Sequence, residues 1–407
     1  MAKRNRLIRA TTRPPGRRIE EPIFWHCSKT NRKSEEEGTI TDTLPFLFSL
    51  NDLDVDSALD PETVKSLERV VSRHTFRIPR YYLDLIDCAN PLCPIKGQAI
   101  PSVAEDAEGG SEDPLAEEGI SLTPILLRRH SDRCVFLVSS ECAMYCRFCN
   151  RRRFAGKSVD PEPYLEESYA VIEEDDSIRE VILSGGDPFM LKAAKLRSIL
   201  ERLRSMEKRL IIRISTRVPV VCPAILSVDH VKAIEAVSPV WVVIHINHPR
   251  EITDRSLAAI DSIRRAGGIP VSQTVLLRNI NDCPHVLLRL FESLVEAGVK
   301  PYYLFQLDDV RGASHFKVRL ERGREIMAFL RANASGLAVP QYALDIPGGL
   351  GKIPVDSEHV RYREGTTMVE LISPSGEIGH YDNNAPESTC MKCGICGKTG
   401  NWVIGRG

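Results

Sequence analysis

SSECAMYCRFCNRRRFAG, residues Ser139 to Gly156, carries three cysteines spaced Cys142-x-x-x-Cys146-x-x-Cys149. A single short loop can aim three such close thiolates at one point. Four thiolates would satisfy every iron of a [4Fe–4S] cluster. Three leave one iron open to a small molecule, as a catalytic zinc site keeps one position free. Arg147, Arg151, Arg152 and Arg153 beside the thiolates suit an anionic cofactor and substrate. A zinc knuckle, or three unrelated buried cysteines, is the alternative reading of this spacing.

Outward from this loop, beyond residue 130, short apolar runs alternate with amphipathic segments, the signature of βα units around a parallel sheet. The runs are Cys134 to Val138, Glu180 to Leu183, Leu210 to Ile214, Val240 to Ile246, Pro270 to Leu276 and Pro301 to Phe305. Helices are predicted near 162–174, 191–206, 223–236, 252–265, 282–297 and 317–332. Six units predict an α/β fold, an open partial (β/α)6 barrel. The cysteine loop follows the first run, Ser184-Gly185-Gly186-Asp187-Pro188 the second, Ser215-Thr-Arg217 the third, His248-Pro-Arg-Glu251 the fourth and Gln306-Leu-Asp308-Asp309 the sixth. Loops after barrel strands share the face that carries the active site, so these motifs should converge on one cavity.

On the N-terminal side, residues 1–18 hold seven basic residues and no acidic one. Pro14-Pro15-Gly16 breaks any helix there, so a disordered arm is expected ahead of a transit peptide. Asp60 as N-cap and Pro61 at the first helical position open a helix, with Val64, Leu67, Val70 and Val71 on one face. The acidic stretch Ala104 to Glu118, with Gly109-Gly110, reads as a solvated loop. Residues 1–120 are thus expected to be an arm and helical region, 121–335 the barrel, and 336–407 a separate C-terminal segment.

Over all 407 residues, 54 Lys and Arg nearly balance 55 Asp and Glu. Nothing in that balance suggests the electrostatic footprint of a nucleic-acid or anionic-membrane binder. No run of about 18 apolar residues and no signal-peptide core appear, so a soluble, cytoplasmic enzyme is expected. Twelve cysteines without a secretory signal point to metal binding by the clustered ones. Cys27, Cys88, Cys93, Cys134 and Cys222 are isolated and receive no role.

The run from Cys142 to Gly156 resembles the cluster loop of the radical S-adenosylmethionine (SAM) aminomutases, specifically the lysine 2,3-aminomutase family, and the likeness extends from about Asp60 to the last cysteines. The resemblance implies the partial barrel, with Cys142, Cys146 and Cys149 holding the [4Fe–4S] cluster. Ser184, Gly185 and Gly186 resemble the glycine-rich element that meets the SAM amino group, with Asp187 nearby; alone they are a turn with permissive backbone. Asp345-Ile-Pro-Gly-Gly-Leu350-Gly-Lys352 lacks P-loop spacing. It resembles the family's Pro-Gly-Gly-Gly-Gly-Lys, whose lysine forms a Schiff base with pyridoxal phosphate (PLP), with Leu350 replacing one glycine. A neutral amine at Lys352 needs a depressed pKa, from burial or nearby cations; the alternative is an exposed loop lysine. Arg129 corresponds to the family's PLP-phosphate ligand and Arg151 to the residue that holds the substrate α-carboxylate. Asp308 and Asp345 would meet the distal end, where two carboxylates select a terminal ammonium and repel a glutamate side chain. As bland alternatives, Asp308 caps a turn and Asp345 precedes the proline.

The tail Cys390-x-x-Cys393-x-x-Cys396 differs slightly from the family's C-x-C-x-x-C. By resemblance, Cys283 completes its tetrahedral zinc, joining neighbouring subunits into a homo-oligomer, a dimer or tetramer. A second iron–sulfur cluster is the rival. The implied reaction interconverts L-lysine and β-lysine by 5′-deoxyadenosyl radical hydrogen abstraction and PLP-assisted 1,2-amino migration, with a flavodoxin- or ferredoxin-type electron donor. The alternatives are another amino acid or a lysine derivative as substrate, translation-factor modification included, or a non-catalytic metal-binding protein.

Overall fold

The computed structural model describes residues 46–49, 60–157, 160–355 and 357–387. Its centre is a ten-stranded sheet whose spatial order follows the chain. The strands are β1 (Ser121–Thr123), β2 (Leu126–His130), β3 (Arg133–Ser139), β4 (Glu180–Gly185), β5 (Ile211–Thr216), β6 (Val240–His245), β7 (Gly268–Leu276), β8 (Lys300–Gln306), β9 (Gln341–Asp345) and β10 (Lys352–Pro354). From β3 to β9 every neighbour is parallel. β1 and β2 run antiparallel at one edge and β10 at the other.

Each of the six predicted runs forms one of the strands β3 to β8, and helices Leu165–Glu174, Ala193–Arg204, Val228–Glu235, Asp254–Arg265, Pro284–Glu296 and Leu320–Asn333 lie between or after them. Because the strand order is sequential, right-handed crossovers put these helices on one face. The period-two alternation of a strand then divides its residues. Val181, Leu183, Ile212, Ile214, Val240, Val242 and Ile244 are buried in the core. Ile182, Ser184, Arg213, Ser215, Val243 and His245 face a cavity.

Helix Pro61–Arg73 begins as the sequence predicts: the Asp60 side chain accepts from the amides of Glu62 and Thr63. The C-terminal strands are richer than the sequence reading had them. β9 joins the parallel sheet, and Val360–Tyr362, Met368–Ile372 and Ile378–Asp382 form a separate antiparallel sheet. The acidic segment also differs. Glu105, Leu115 and Glu117 are buried while 107–112 is exposed, so the segment is packed at its two ends and solvated between them, where Ser111 bonds the backbone of Asp309 and Arg311. No helix among the described residues is long and apolar enough to cross a membrane.

Candidate active site

A cavity of about 590 Å³ opens at the C-terminal ends of the parallel strands. Its wall includes Cys142, Cys146, Cys149, Arg151, Ser184 to Asp187, Arg129, Asp345 and Lys352. Motifs separated by more than 200 residues of chain thus meet in one space. Of the sequence-predicted residues, Asp308 stands just behind the wall, and Asn150 Nδ2 donates to its Oδ2 at 2.8 Å. Cys283 is buried at the start of helix Pro284–Glu296. Cys390, Cys393 and Cys396 lie outside the described residues.

The cysteine loop is fixed from two sides. Towards the N-terminal helices, the Tyr145 amide donates to Arg77 O, the Arg147 amide to Gln98 O, and His74 Nε2 lies 3.0 Å from Cys146 O. Arg147 is fully buried, its guanidinium forked onto Glu105 at 2.9 Å through both Nε and Nη2. Towards the sheet, the amides of Gly186 and Asp187 donate to Ser139 O and Glu141 O. A Cβ at Gly185 would lie 2.3 Å from Ser139 O, and one at Gly186 2.3 Å from Glu141 O. The two glycines let the end of β4 touch the cysteine loop backbone to backbone.

The donor set fits an iron–sulfur cluster. Burial raises the Cys142 thiol well above its ordinary pKa, with Cys149 and Asp187 adding to it, and burial followed by Cys146 pushes Cys149 to about 11. All three thiols are free and line the cavity, and a bound metal would supply the charge that compensates their ionisation. Arg217 donates from Nη1 to Cys146 Sγ at 2.7 Å. Among the described residues no three His, Cys, Asp or Glu side chains close on a single ion.

Asp187 is occupied by the protein: its carboxylate accepts from Thr216 Oγ1 at 2.8 Å and from the amides of Arg217 and Val218 at 2.7 and 3.0 Å. It ties the end of β4 to that of β5. Arg151 is clamped by Glu117 through Nε at 2.9 Å and Nη2 at 2.7 Å, while its Nη1 donates to Ser184 Oγ. Burial opposes the Glu117 charge, yet Arg151 and Arg153 hold its pKa at about 2. Arg151 thus stands at the cavity wall with its orientation fixed by Glu117 and Ser184.

At the far side, Lys352 Nζ lies 3.8 Å from the centre of the Phe305 ring, 4.5 Å from that of Tyr303 and 3.6 Å from Asp345 Oδ2. Burial lowers its pKa, against the pull of Asp345 and Asp308 and with help from Arg213 and Arg129. A quarter of its side chain stays accessible, and that opening is the cavity. Arg129 Nη1 approaches Asp345 at 3.6 Å, and its Nη2 donates to Leu115 O. Its Nε is buried with no partner. A half-buried arginine whose Nε lacks an acceptor, near a half-buried lysine of lowered pKa, fits an anionic aldehyde cofactor. Burial, then Asp345, pushes Asp308 up to about 7.

In the glycine-rich turn, Gly348, Gly349 and Gly351 have φ of 80°, 81° and 101°, whereas Leu350 has no positive φ. Its side chain packs on the core. Leu350 therefore sits at the one position of the four whose backbone needs no glycine. Sequence reasoning missed Glu117, Asn150 and the two rings under Lys352. Only the alternation of Tyr303 and Phe305 along β8 could have signalled them.

Residues 136–291 match the model of the Radical SAM superfamily. The chain is 38% identical over 354 residues to an L-lysine 2,3-aminomutase of Acetoanaerobium sticklandii, covering 85% of each chain. It is 39% identical over 318 residues to one of Fusobacterium nucleatum, 77% of this chain and 75% of that one. A glutamate 2,3-aminomutase of Clostridioides difficile is 35% identical over 335 residues, 81% of this chain and 79% of that one.

Proposed function

We propose, since this chain belongs to the lysine 2,3-aminomutase family of radical SAM enzymes, that it is an isomerase interconverting L-lysine and β-lysine. The observation that carries the substrate is the pair Asp308 and Asp345. Burial and the Asp345 charge push Asp308 up to about 7 even with Arg129 and Lys352 nearby, and the ε-ammonium of lysine would add a cation that favours its ionised form. A glutamate side chain there would add a third carboxylate, so the glutamate reaction is disfavoured.

When bound, the cluster with SAM supplies a carbon-centred radical, and PLP supplies the electron sink for moving an amino group. The chain's own residues do the rest. Cys142, Cys146 and Cys149 hold the cluster, with Gly185 and Gly186 beside it. Arg151, braced by Glu117 and Ser184, orients the α-carboxylate. Asp345 and Asp308 orient the other end, so the substrate is stretched between fixed charges. Lys352, of lowered pKa, would hold PLP at its aldehyde, and Arg129 would hold the phosphate. We read the sequential parallel sheet as a partial barrel closed round this cavity. Cys283 with Cys390, Cys393 and Cys396 is read as a zinc site joining subunits of a cytoplasmic oligomer served by a flavodoxin- or ferredoxin-type donor.

The test is anaerobic incubation of reconstituted protein with reductant, SAM, PLP and a pool of amino acids, reading β-amino isomers by mass spectrometry. β-Lysine is the expected product. β-Glutamate in its place would overturn the roles of Asp308 and Asp345.

A further inference from the structure

Arg217, at the end of β5, is buried and spends its donors unevenly. Nη2 is held from three directions, by Gln98 Oε1 at 2.6 Å, Glu251 Oε1 at 2.7 Å and Tyr82 OH at 3.3 Å. Each holder is itself fixed. Tyr82 donates to Glu251, and Glu251 Oε2 accepts the amides of Asn247 and His248. Asn247 Nδ2 donates to Gln98 Oε1. The rings of Tyr82 and Phe148 flank the guanidinium at 5.7 and 5.3 Å. Nε is buried with no partner. Here the surrounding groups lock one end of the fork and aim the other, Nη1, at Cys146 Sγ.

We infer that Arg217 sets the reduction potential of the cluster, by a charge-assisted hydrogen bond to the Cys146 ligand whose strength is limited by Glu251. The inference rests on reading Cys142, Cys146 and Cys149 as the cluster ligands. The step concerned is uptake of one electron from a low-potential donor, which takes the cluster from 2+ to 1+ with no bond made or broken. The added negative charge spreads over iron and sulfur, so a donor at a ligand sulfur stabilises the reduced form more than the oxidised one, and the potential rises. Glu251 lies on the far side of the same guanidinium and offsets part of its field. Two buried groups of opposite sign thus act on the cluster in opposite directions.

The experiment is an EPR-monitored titration of reconstituted full-length protein with dithionite and mediators, without SAM, alongside iron content. In Arg217→Gln the ratio of reduced to oxidised cluster at a fixed potential should fall about tenfold, equivalent to 59 mV for a one-electron couple. In Glu251→Gln it should shift the opposite way. An Arg217→Gln protein with wild-type iron and an unmoved midpoint would overturn the inference, as would both variants moving in one direction. Should Arg217→Gln fail to hold iron, Glu251→Gln decides alone, and no shift there counts against it. A Cys146→Ala protein that keeps the full cluster signal would instead remove the ligand assignment underneath.

Discussion

Lys352 and Asp345 are cross-strand partners, opposite one another in the antiparallel pair of β9 and β10, with Nζ 3.6 Å from Oδ2. Opposed positions in such a pair bring side chains into contact. The hairpin thus places an amine beside a carboxylate at a cavity wall, and the turn between them sets the spacing.

Replacing the amine tests the cofactor without touching the cluster. Lys352→Ala should abolish the visible absorbance of protein-bound PLP while iron content stays at the wild-type level. An unchanged absorbance spectrum would show that some other residue carries the aldehyde.

Asp308, pushed up to about 7 by burial and Asp345, must be ionised to hold an ammonium. The KM for lysine should therefore rise as pH falls through about 7. Asp308→Asn should flatten that profile and raise KM roughly ten- to a hundredfold, the loss of one charge-assisted hydrogen bond of about 1.5–3 kcal/mol. Its raised folded-state pKa also means that stability falls as pH rises from its unfolded pKa through about 7, and that the full cost of ionising it persists above that. The Asn variant should accordingly melt no lower than wild type at neutral pH, and a marked drop in Tm would argue against the repulsion.

Glu117 works in the reverse sense. Its pKa is depressed to about 2 in the fold, so its stabilising contribution is present above its unfolded pKa, near 4.5, and is lost as pH falls towards 2. Glu117→Gln should remove that part of the acid-unfolding profile. Leaving Arg151 and Arg153 without their buried partner should cost about 3–5 kcal/mol, readable in a urea titration. It should also raise KM, since Arg151 loses its brace.

At Gly186 a methyl group would have to displace the carbonyl of Glu141. Gly186→Ala should destabilise by about 1–3 kcal/mol and lower the iron retained after reconstitution. Full iron with unaltered stability would mean that the contact between β4 and the cysteine loop yields easily.

The six βα units and the shared face of their loops were legible because apolar runs and helical faces are local patterns. Cys142 to Cys149 stood out by residue type and spacing, and Lys352 by the resemblance of its glycine-rich turn to a family motif. Glu117 did not. Its sequence neighbourhood is that of any solvated acidic loop, and its burial arises only from arginines supplied by the cysteine loop. The locked fork of Arg217 draws on Gln98, Tyr82 and Glu251, residues more than 100 positions apart at the extremes. β9 and the small C-terminal sheet were missed because β9 is only five residues long and the strands of the small sheet are largely half-buried or exposed.

The glycine-rich turn also bears on how such chains diverge. Three of its positions need a backbone that only glycine adopts freely, and at Gly349 a side chain would also strike Leu115 O. Position 350 is under neither constraint. Leucine at 350 keeps the hairpin in this chain, so a search pattern demanding four consecutive glycines before the lysine would discard it.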